Sequence, residues 1–83
     1  MPSKRLPRDL DAAHLIRALS CLGYSRGRQV GSHVRLGTEQ GGRHQETIPW
    51  HSPLKVGTLN AILSSIAAHH QLSRAELLEL LDL

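Results

Sequence analysis

The sequence predicts an α+β fold in which helices flank a three-stranded antiparallel meander, in the order α-β-β-β-α-α. Three observations predict it. Apolar residues recur with the 3.6-residue helical period at both ends of the chain. Between Tyr24 and Trp50 that period is lost, and short runs containing β-branched residues are broken by glycines. Finally, 83 residues allow one core and no second domain, because a domain this small buries only roughly 60% of its unfolded surface.

Met1 to Arg8 carries two prolines and three basic residues and reads as a flexible basic arm, leaving residues 9–83 as a single domain. Asp9 or Asp11 offers an N-cap for a first helix over residues 11–22, whose stripe is Leu15, Ile16, Leu19 and Leu22 and whose stop is Gly23. Two short strands are expected over about 24–29 and 32–37, with weak apolar alternation. Thr38 to Arg43 contains Gly41-Gly42 and reads as a hairpin loop, and Gln45 to Trp50 as a third strand. Pro49 has no N–H to give a ladder, which limits that strand to an edge or places Pro49 among its last residues. After a connection beginning at Ser52-Pro53, Leu59, Ile62, Leu63 and Ile66 restore the helical period for a second helix from about Val56 to His69. Ser73-Arg74-Ala75-Glu76 is a capping box ahead of Leu77, Leu78, Leu80 and Leu81, so a short third helix closes the chain. The economical packing puts the helices on one face of the sheet and leaves the other face open.

Composition narrows the function. Forty per cent apolar and 20% charged residues describe a folding chain rather than a disordered one. Tyr24 and Trp50 are the only aromatic residues besides histidine, so the core is aliphatic, and binders that stack several successive bases are disfavoured. The net charge of +3 is unevenly spread. Residues 1–55 hold nine Lys/Arg against four acids, whereas residues 56–83 hold one against three. The half that would face an anion is N-terminal. The single cysteine, Cys21, has no partner for an internal disulfide, lies in an apolar helical pattern and is expected to be buried and inert. With no apolar stretch of membrane length and no leader-like h-region, a cytoplasmic protein is expected.

Three ordered segments carry a family resemblance. His14-Leu15-Ile16-Arg17-Ala18-Leu19 runs to Gly23-Tyr24; Gly31-Ser32-His33 follows; then come Ile48-Pro49-Trp50-His51 and Gly57-Thr58-Leu59 with Ile62-Leu63. Together they resemble the HicA toxin family, small RNA-cleaving proteins paired with a HicB-like antitoxin, over roughly residues 9–81. The resemblance implies a fold like the double-stranded-RNA-binding domain, α-β-β-β-α with a three-stranded antiparallel sheet, so that the third helix is an extra C-terminal one. It implies a type II toxin that cuts messenger RNA without a metal or other cofactor, and it assigns the essential histidine of Gly-Ser-His to His33. The chain departs from the family's pattern in a longer stretch between Leu63 and Ser73, and in Val34-Arg35-Leu36 after His33 where relatives carry a second His or an aromatic.

The chemistry suits these residue types. Attack of the RNA 2′-OH on the adjacent phosphorus needs a base, an acid for the leaving oxygen and positive charge for the phosphorane-like state. Histidine titrates near neutrality and can serve either proton transfer. Gly31 lets the backbone turn and approach RNA, and Ser32 offers a hydroxyl to a phosphate oxygen. Arg26, Arg28, Arg35 and Lys55 are the candidate RNA contacts, each of which could equally be a solvated surface charge. His51 either takes part in catalysis or positioning, or closes the third strand by bonding a loop carbonyl. His14 and His69-His70 read as surface residues. No two of the six histidines stand at i, i+4 and no second cysteine exists, so no metal site is expected from His44, His51 and His69. The alternative function is a non-catalytic double-stranded-RNA-binding module.

Overall fold

A computed structural model of the chain describes residues 9–51 and 53–83; the basic arm and Ser52 lie outside the described residues. The elements are α1 (Ala12–Leu19), a 3₁₀ turn (Ser20–Leu22), β1 (Ser25–Val30), β2 (His33–Thr38), β3 (His44–Pro49), α2 (Val56–His70) and α3 (Arg74–Leu81). This is an α+β fold, α-β-β-β-α with an extra C-terminal helix, and the sheet order is β1-β2-β3 with both pairings antiparallel. β3 is an edge strand and Pro49 its last residue, so the missing N–H costs little.

The first and third helices start on side-chain caps, whereas α2 begins at Lys55 without one. Asp11 Oδ1 accepts the His14 N–H at 2.7 Å, which makes it, and not Asp9, the N-cap of α1. At α3 the capping box forms in full: Ser73 Oγ accepts the Glu76 N–H and Glu76 Oε1 accepts the Ser73 N–H. The Ser73 amide first, and the Ser73 side chain second, hold the Glu76 carboxyl below its ordinary range. The α2 stripe Leu59, Ile62, Leu63, Ile66 and Ala67 meets the sheet residues Val34, Leu36 and Ile48, with Leu15, Leu19, Leu77 and Leu78 completing an aliphatic core around Tyr24. Gly23 is obligatory where α1 hands over to β1. Its φ is +80°, and an added Cβ would lie 2.8 Å from both Thr38 Oγ1 and Gln40 Nε2.

Two expectations are corrected. Cys21 is exposed, not buried. The end of the first helix tightens into a 3₁₀ turn, whose three-residue period keeps Leu19 and Leu22 on the buried side and turns Cys21 outward, its Sγ 3.8 Å from the Leu80 carbonyl. His69 and His70, read as surface residues, are half-buried.

The weak alternation of the first strand also has a physical cause. The helices cover β2 and β3, and all six residues of β1 are exposed. A register shift between Arg26 and Gln29 bends this edge, a device that discourages edge-to-edge pairing.

Candidate functional site

Val30 pairs with His33 across the β1–β2 hairpin, leaving Gly31-Ser32 as a two-residue turn. Gly31 has φ +58° and Ser32 is not in the positive region, the φ pattern of a II′ hairpin with glycine at its first central position. His33 therefore opens β2, the central strand, and is held by Val30 on one side and Pro49 on the other. Strand alternation sends Val34 and Leu36 into the core and His33 and Arg35 to the open face, both exposed. Among the described residues the His33 ring has no hydrogen-bond partner, so its nitrogens face solvent.

The open face carries a concavity of about 470 Å³ lined by Arg26, Arg28, Arg35 and Arg43 and by one acid, Glu39, with Ser25, Gly37 and Gln45 between them. Four arginines against one carboxylate around a shallow trough suit phosphates, which arginine binds with paired donors. Arg28 and Arg35 are thus brought together, and Arg43 joins them from the residue ahead of β3. His33 is two residues before Arg35 on the same face of β2, outside the residues that line the trough.

Arg26 also lines the trough, but its guanidinium sits over the Trp50 ring, 5.1 Å from the centroid, and donates to Gln29 Oε1. The other sequence candidates lie elsewhere. Ser32 uses its backbone, its carbonyl accepting the Trp50 backbone N–H at 2.6 Å. Lys55 is exposed at the N-cap of α2. His51 closes the strand through its backbone rather than its ring. Its N–H donates to the Pro49 carbonyl, and its own carbonyl accepts the Ala12 N–H at 3.1 Å, tying the strand end to the start of α1. The His51 ring is exposed and borders a smaller concavity, about 240 Å³, shared with Trp50, Asp11, Ala12 and Ala13.

At the opposite end of the sheet is a cluster the sequence did not disclose. The Tyr24 hydroxyl bridges His44 Nδ1 at 2.7 Å and His70 Nε2 at 3.1 Å. His44 stacks on His69 with ring centroids 4.5 Å apart, and its Nε2 meets Ser65 Oγ and, at 3.8 Å, Glu46. His69 donates its Nε2–H between the carbonyls of Gln40 and Gly42, 3.0 and 3.1 Å away. Burial first, and Glu46 second, push the Tyr24 hydroxyl up to about 12. Burial and then the neighbouring His69 and His44 hold His70 below the ordinary histidine value. The histidines bind phenol, hydroxyl and carbonyl groups, and among the described residues no group of three His, Cys, Asp or Glu is arranged to hold a metal.

Fold and trough together define a small α+β domain with an arginine-lined sheet face and a histidine at its edge. The family model for the HicA toxin of bacterial toxin-antitoxin systems matches residues 12–67, and the chain belongs to that family. The match spans α1, the whole sheet and most of α2. The chain is accordingly a toxin-antitoxin toxin. No curated protein and no solved structure matches it significantly. No helix among the described residues is long and apolar enough to cross a membrane.

Proposed function

We propose that the chain is a metal-independent endoribonuclease acting on messenger RNA, with His33 as its catalytic group, and that a HicB-like antitoxin neutralises it. The observation that carries this reading is the placement of an exposed His33, its ring without a partner among the described residues, on the same open sheet face as Arg28, Arg35 and Arg43. The arginines hold the phosphate backbone along the trough and bring one linkage to the edge where His33 stands. His33 takes the proton of the 2′-OH as its oxygen bonds to phosphorus. The bond from phosphorus to the 5′ oxygen breaks, and that oxygen leaves with a proton. His51, two residues beyond the Pro49 that pairs with His33, is the candidate for donating it.

The test is cleavage of a long messenger RNA by purified protein in excess chelator. Wild type is expected to produce fragments ending in a 2′,3′-cyclic phosphate, and His33→Ala to be slower by about 10²-fold or more, the usual contribution of a placed general base. Equal rates for the two proteins would remove His33 from the mechanism. Salt-sensitive binding to duplexes without any fragments would favour a non-catalytic double-stranded-RNA-binding module.

A further inference from the structure

Trp50 is the only tryptophan of the chain, and 41% of it is exposed. It is also fixed. Its backbone N–H donates to the Ser32 carbonyl, the Arg26 guanidinium covers its ring, Arg26 is bonded to Gln29, and Gln29 Nε2 donates to the Gly31 carbonyl at 3.1 Å. These contacts form a closed circuit, Gly31 to Gln29 to Arg26 to Trp50 to Ser32, so the indole and the turn that presents His33 are built as one unit. Beside the ring lies the 240 Å³ concavity walled by Ala12, Ala13, Asp11 and His51. That is below the roughly 300–1,000 Å³ typical of drug-sized sites and offers room for one planar ring system rather than a length of chain.

We infer that Trp50 is a stacking subsite for a single unpaired nucleobase of the RNA strand next to the linkage at His33. The inference rests on the reading of His33 as the cleaving group and adds a requirement for locally single-stranded substrate. An indole gives any base a flat π surface, whichever base it is, and the Arg26 cation near the ring adds positive charge beside a polyanion. A base inside a duplex has both faces covered by its neighbours and cannot use the ring. The low aromatic content that argues against a platform for successive bases is consistent with one ring receiving one base.

Because Trp50 is alone, its emission reports on the subsite directly. Full-length His33→Ala protein, which spares the RNA, is titrated with an end-labelled mixed-sequence single-stranded oligoribonucleotide and with a perfectly paired duplex. Label anisotropy follows binding and tryptophan emission follows stacking. The single strand is expected to quench Trp50 in step with its binding, and the duplex to leave the emission unchanged. Adding Trp50→Leu should weaken single-strand binding about 10-fold, within the range for loss of one stacked base, whereas adding Trp50→Phe should keep most of the affinity. Anisotropy that rises without quenching would overturn the subsite while leaving RNA binding intact, as would unchanged affinity in a folded Trp50→Leu protein. If that variant does not fold, the quenching of the intact ring and the affinity of Trp50→Phe decide. Anisotropy that never rises would overturn the RNA reading, and the subsite with it.

Discussion

Arg35 stands two residues from His33 on one strand and one face, and Arg28 reaches the same trough from the bulged edge strand. Both are exposed, so their value lies in what they bind rather than in stability. Arg28→Gln and Arg35→Gln should each reduce the slope of log binding constant against log salt by about 0.7 for a single strand, with the thermal midpoint unchanged. An unchanged slope would show that the trough does not carry the backbone. These residues were legible because a glycine turn and strand alternation are local signals: Gly31-Ser32 places His33, and counting by twos places Arg35. The contact of Arg26 with Trp50 was not legible, for the opposite reason. The two are 24 residues apart, and the register shift beside Arg26 leaves no mark in composition.

At the scale of elements, helix ends show where sequence signals suffice and where they do not. Ser73 and Glu76 announce α3, because both halves of a capping box are written three residues apart. The end of α2 carries no such mark. The helix runs one residue past the expected His69 and stops with Gln71 at φ +58°, a left-handed position that glycine usually takes. An L-residue there costs roughly 1–2 kcal/mol, while glycine carries an entropic cost of its own in the unfolded chain. Gln71→Gly should therefore stabilise the fold by about 0.5–1 kcal/mol, seen as a rise of a few degrees in Tm. A fall in Tm would mean that the Gln71 side chain contributes more than its backbone strain costs.

On the scale of the whole molecule, the Tyr24, His44, His69 and His70 cluster fastens the end of α2 to the β2–β3 loop and to the start of β1. Tyr24 and His70 lie 46 residues apart, and only the closed tertiary structure brings them together, which is why the order of elements could be read from the sequence and this fastening could not. The cluster makes stability depend on pH. Folding holds His70 below its ordinary value, so the unfolded chain binds a proton that the folded one resists. The contribution is complete above the ordinary histidine value of about 6.5 and is lost as pH falls from there through the lowered folded value. The urea midpoint should accordingly drop between pH 7.5 and pH 5, and His70→Gln should flatten that drop. A midpoint independent of pH over this window would contradict it.

Gly31 bears on how the hairpin could be rebuilt. Its φ is +58°, yet a Cβ added there would meet nothing within 4 Å. Handedness alone, and not space, reserves the position for glycine. A mirror-image alanine escapes both penalties, since positive φ is the favoured region for a D-residue and the room is already there. A chemically assembled chain with D-alanine at position 31 keeps the turn and the presentation of His33, and has less freedom to lose in forming them.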